Sequence, residues 1–146
     1  MTTKQSIINR IVELLEALKT AGTVREVQRV TTPFLLATIL PSIHLVIGPE
    51  ENKTEEEELR GYVCEFPVMI KVTVEDARDP YGKAEEIIGP IQSAIEADLQ
   101  LSGLAVKILY LGDDPFTNEL NKPVGGNMVS YLVQYRRQRA LPSTQY

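Results

Sequence analysis

The chain has 146 residues, the size of one domain, and folding at that size buries roughly 70% of the unfolded surface, so it can hold its own core. Its 43% apolar and 24% charged residues are ordinary for a soluble globular protein, and a single cysteine (Cys64) and a single histidine (His44) exclude a disulfide framework, a four-cysteine zinc module and a His-rich metal site. The net charge of −5 argues against wholesale wrapping by nucleic acid.

Met1 to Ser6 is polar and lacks the pattern of a secretory signal, so synthesis in the cytoplasm is expected. Lys4 to Lys19 reads as an amphipathic helix, with Ile7, Ile8, Ile11, Val12, Leu14, Leu15 and Leu18 at helical spacing and Gly22 as the stop. Val24 to Val30 reads as a short β-branched strand. Val30 to Pro49 holds no charged residue, but Pro33, Pro41 and Pro49 break it and argue against a membrane span. Within it Pro33 to Leu40 is ambiguous, with a short helical turn as one option, and Ser42 to Ile47 reads as a strand ended by Gly48-Pro49.

Pro49 to Arg60 is a polar connection rich in glutamate. Tyr62 to Glu75 is the longest strand, with Tyr62, Cys64, Phe66, Val68, Ile70, Val72 and Val74 alternating onto one face. Pro67 within it suggests an edge, a bulge or a bend. Asp79-Pro80 opens a second helix, carrying Ala84, Ile87, Ile88, Ile91, Ala94, Ile95 and Leu99 on one stripe; a kink or break is expected at Pro90 and an end at Ser102-Gly103. Leu104 to Leu111 follows as a strand closed by Gly112-Asp113-Asp114-Pro115. Phe116 to Asn127 reads as a loop in which Gly125-Gly126 turns the chain, and Met128 to Gln138 as the last strand. The expected fold is α+β: a mainly antiparallel sheet of four to five strands, paired by hairpins, with two principal helices on one face. The domain spans 1–139, and 140–146 is a flexible tail.

Candidate chemistry is sparse. Cys64 with His44 could be a nucleophile and a base, but Cys64 lies inward on a strand, where a thiol behaves as a small hydrophobe. Glu55, Glu56, Glu57 and Glu58 do not have the alternating spacing of a calcium loop, and Asp98, Asp113 and Asp114 are scattered. Gly125-Gly126 lacks the rest of a phosphate-binding loop. No catalytic, cofactor or metal site is therefore expected. Charge divides more informatively. Residues 49–60 hold six Glu against Lys53 and Arg60, for −4; residues 121–146 hold Lys122, Arg136, Arg137 and Arg139 and no acid, for +4. The two segments could pair within one chain, pair between neighbours in a ring, or be opposite by accident.

The order of segments resembles the tail terminator (tail completion, or minor tail) proteins of tailed bacteriophages over nearly the full chain. The resemblance rests on the helix Ile7 to Leu18, the strand and loop "PSIHLVIGPEE", the long strand "FPVMIKVTVED", the helix "YGKAEEIIGPIQSAIEADL", the "LSGLAVKILYLGDD" segment and the closing "MVSYLVQYRRQR". It implies a non-catalytic virion protein that forms a ring, commonly hexameric, on the tail tube, stops tube growth and meets the head connector at the tail–neck junction. The implied partners are other copies of the chain, the tail tube protein, the head–tail connector or neck protein, and a sheath protein if the tail contracts. DNA would only pass through the ring, and no membrane is involved. Glu55 to Glu58 facing Arg136, Arg137 and Arg139 of a neighbour are the expected subunit contacts. A neck or head–tail adaptor of the same virion is the nearest alternative, and a soluble adaptor that binds a peptide by strand addition near Pro67 is one of a different class.

Overall fold

The computed structural model describes residues 2–32, 39–53, 61–98, 101, 103–117 and 124–138. Helix α1 (Thr3–Thr20) starts at a capping box: the Thr2 hydroxyl accepts from the Gln5 amide at 3.1 Å, and the Gln5 carboxamide accepts from the Thr2 amide at 2.7 Å. Its stripe Ile7, Ile8, Ile11 and Leu15 is buried, and the chain leaves through Gly22 at φ +85°. Strands β1 (Glu26–Val30), β2 (Ser42–Ile47), β3 (Glu51–Asn52) and β4 (Gly61–Glu75) come next, then helix α2 (Pro80–Glu96) and strands β5 (Lys107–Thr117) and β6 (Val124–Gln138).

These strands form one six-stranded sheet in the order β1-β2-β4-β6-β5, with β3 also paired to β4. The α+β fold is as expected, with β3 as an additional short strand. The hairpin expectation fails at one edge. β1 and β2 pair in parallel, Val27 opposite Ile43, so the chain between Val30 and Ser42 returns to the starting end of the sheet instead of turning back. The other pairings are antiparallel, and β4 with β6 forms a ladder 15 residues long.

One face of the sheet carries the core. Cys64, Phe66, Val68, Ile70, Val72 and Val74 are each at most 2% exposed, as the alternation predicts. Val129, Tyr131, Val133 and Tyr135 of β6 extend that face, and Ile11 of α1 and Ile95 of α2 both meet it around Val68 and Val133, so both helices cover the same side. Arg10 of α1 pairs with Asp98, just past α2, at 3.0 Å and joins the two helices. α2 is capped by the Asp79 carboxylate accepting from the Gly82 amide at 3.0 Å. Of the kink or break expected at Pro90, a break does not occur, since the helix is continuous through it, and α2 ends at Glu96, before Ser102-Gly103. Glu86, Gly89 and Pro90 all lie on its exposed side, so the bond that Pro90 cannot make to the Glu86 carbonyl is lost where water can replace it.

Three further expectations are corrected. The stretch 116–127 is not a continuous loop, because β5 continues to Thr117 and β6 starts at Val124. Gly112 at φ +137° belongs to an irregularity between Tyr110 and Gly112 that lets β5 continue, so Gly112-Asp113-Asp114-Pro115 does not close the strand. Gly125 and Gly126 lie inside β6, where a Cβ on Gly126 would overlap the Val72 carbonyl oxygen and one on Gly125 would lie 2.7 Å from that of Phe116. Pro67 sits in a central strand, opposite Leu132 of β6. On its other flank Gly48 donates to the Pro67 carbonyl at 2.8 Å just as β2 ends, so the missing donor of Pro67 falls in the gap between β2 and β3. The proposed domain limit and the 140–146 tail lie outside the described residues.

Candidate assembly surfaces

β5 is an edge strand, bonded to β6 on one side. Ile108 lies opposite Val133 on the helix-covered face and Leu109 opposite Leu132 on the outer face. Because β6 opposes Pro67 to the same Leu132, the outer face carries a row Pro67–Leu132–Leu109 across three strands. At the rim, Leu109, Tyr110 and Leu111 are 42%, 52% and 56% exposed, and Val106 just before the strand is also exposed. The Tyr110 ring leans on that of buried Tyr131, with centroids 5.8 Å apart, which holds its exposed edge in place. Consecutive large apolar side chains on an unpaired strand edge are a surface for association. The sequence shows the run Ile108 to Leu111, but its position at an edge depends on strand order, which local periodicity does not carry.

A second concentration of functional groups surrounds Glu50, between β2 and β3. Its carboxylate accepts from the Tyr135 hydroxyl through Oε1 and from Arg137 Nη1 through Oε2, the latter at 3.0 Å. A cavity of about 280 Å³ opens there, lined by Thr2, Thr3, Lys4, Glu50, Tyr135 and Arg137. The Lys4 ammonium sits 4.9 Å from the centre of the Phe66 ring. Burial pushes the Tyr135 phenol well up, and its bond to Glu50 adds to this. Burial, and after it the Glu50 charge, raises the Cys64 thiol.

The sequence-predicted contact residues fall partly on this site. Arg136 and Arg137 are exposed near the end of β6, and Arg137 is engaged with Glu50 of its own chain. One pair from the opposed acidic and basic segments thus closes within the subunit. Lys53 likewise pairs with Glu51 at 2.8 Å and Glu65 at 3.4 Å. Glu55, Glu56, Glu57, Glu58 and Arg139 lie outside the described residues. The register places Gly61, where the chain arrives from the acidic segment, opposite Gln138, which precedes Arg139.

The structure separates the other candidates. Cys64 is on the helix-covered face of β4. His44 is opposite Lys71, on the outer face, so the two do not form a dyad. Asp98 is bound to Arg10. The Asn127 carboxamide donates to Glu85 at 2.6 Å and Asp113 at 2.8 Å, tying α2, β5 and β6 together, and these two carboxylates raise the nearby Tyr81 phenol. Among the described residues no group of three or more His, Cys, Asp or Glu side chains could hold a metal ion, and no helix is long and apolar enough to cross a membrane.

No protein-family model and no curated protein matches the chain. Among solved structures, a chain from the virion of a native gene transfer agent particle is similar at 15% identity, over 88% of this chain and 92% of that one, with a TM-score of 0.42. A likeness of that size is too distant to bear on function.

Proposed function

We propose that this protein is a structural component of a tailed-phage virion, a tail terminator whose copies form a ring, hexameric by the resemblance, on the end of the tail tube. The ring stops tube polymerisation and presents its other face to the head–tail connector or neck protein. DNA passes through it, a sheath protein joins it if the tail contracts, and the role is non-catalytic. The observation that supports this reading best is the exposed apolar edge of β5, which suits a subunit that works by association. The order of helices and strands, on which the resemblance rests, agrees with the fold.

The test is deletion of the gene from the phage or prophage that encodes it, followed by a tail-length histogram from negative-stain electron microscopy. Overlong, polydisperse, headless tails are expected. Headless tails of normal length would move the protein to the neck, and intact infectious particles would overturn the virion reading.

A further inference from the structure

We propose that copies of this chain join edge to edge, β5 of one subunit against β1 of the next, so that the sheet continues from subunit to subunit. The inference deepens the ring reading and rests on it for closure of the assembly.

Three observations support it. First, both edges of the sheet are open: among the described residues no backbone bond uses the outward side of Glu26–Val30 or of Lys107–Thr117. Second, the directions fit. β1 is parallel to β2, and each later step across β4, β6 and β5 is antiparallel, so β1 and β5 run in opposite directions. Laying β5 beside the next copy's β1 in a continuous sheet therefore makes an antiparallel pair and keeps every helix layer on the same side. Third, the edges are complementary. Residues 25–30 carry Arg25 and Arg29 against Glu26, whereas residues 107–117 carry Asp113 and Asp114 against Lys107. Arg29 lies opposite Leu45, on the helix-covered side; Tyr110 and Asp113, opposite Tyr131 and Val129, are on that same side of β5. An arginine there can cover the exposed Tyr110 ring with its stem and guanidinium and reach the Asp113 carboxylate.

A pairing of β5 with a second β5 would stop at two subunits and leave each β1 edge open. The β5–β1 contact uses a different surface on each partner, the kind that closes into a ring. It also covers Leu109, Tyr110 and Leu111, the part of the surface most prone to uncontrolled strand pairing.

Cross-linking of the full chain tests this. Gln28 and Leu111 are exposed positions on the two edges. With a short bismaleimide, the Gln28→Cys/Leu111→Cys chain should give a ladder of covalent multimers under denaturing conditions. Either single variant alone should stay one chain long, and a mixture of the two singles should stop at dimers. Cys64, buried, stays out of the reaction. Dimers from Leu111→Cys alone would overturn the inference in favour of β5–β5 pairing. Absence of a ladder while sedimentation still shows a closed oligomer would overturn the edge contact and leave the ring reading standing. A chain that sediments as a monomer at every concentration would overturn both.

Discussion

Gly126 and Gly89 show how the same residue type has opposite value at two positions. A methyl group on Gly126 meets the Val72 carbonyl, a backbone atom that can move only with the central strand. Gly126→Ala should cost about 2–3 kcal/mol, read as a lower denaturation midpoint. Gly89 is exposed in α2 with nothing near its missing Cβ, so Gly89→Ala should add about 0.5–1 kcal/mol by the same measurement. Two buried tyrosines are a similar pair. Tyr135 donates to Glu50, and Tyr135→Phe should cost about 1.5–3 kcal/mol, because it strips a charged acceptor of its partner. Among the described residues the buried Tyr131 hydroxyl has no hydrogen-bond partner, so Tyr131→Phe should be neutral or stabilising at pH 7. Burial pushes the Tyr131 phenol up to about 12. The folded chain thus keeps a proton that the unfolded chain releases near pH 10. Stability from this group is full below pH 10 and is lost as pH rises towards 12, and Tyr131→Phe should flatten that decline in chemical denaturation scans.

At the scale of elements, periodicity makes α1, β4 and α2 legible, because each turns a regular apolar stripe to the core, whereas β2, buried on both faces, is legible from its short apolar run and the Gly48-Pro49 breaker. The misreadings have a common cause. Gly112, Gly125 and Gly126 read locally as turn residues, yet they serve a strand irregularity and a close approach between backbones, both of which depend on partners distant in sequence. β3 was hidden because Glu51 and Asn52 are exposed, and strand pairing alone defines them. The parallel return of β1 was equally invisible, since strand order is a long-range property. Pro90 was legible as a defect but not as a tolerated one, because tolerance depends on which side of α2 faces solvent. Restoring the amide with Pro90→Ala should raise the thermal midpoint, by an amount equivalent to about 1–3 kcal/mol. Removing the α1 cap with Thr2→Ala should lower stability by about 1 kcal/mol, measured in parallel.

For the whole molecule, the division of charge between residues 49–60 and 121–146 was the most informative site signal in the sequence, and the structure divides its use. Arg137 is held by Glu50 of the same chain, and Arg136 and Arg139 are proposed to meet Glu55 to Glu58 of a neighbour. The double variant Arg136→Glu/Arg139→Glu should block oligomer formation in sedimentation while the chain stays folded by circular dichroism; an unchanged oligomer would remove that contact. The apolar rim of β5 is not legible in the sequence, because hydrophobicity alone does not distinguish a central strand from an outermost one. The ladder of β4 with β6 has a mechanical consequence. Fifteen residues at ~3.4 Å each make a beam about 50 Å long. One end stands at Gly61 and Gln138, beside the charged segments, and the other at Glu75 and Val124. A pull or thrust applied along this beam loads its rungs together in shear, so force arriving at one end of the subunit is delivered to the other with little give.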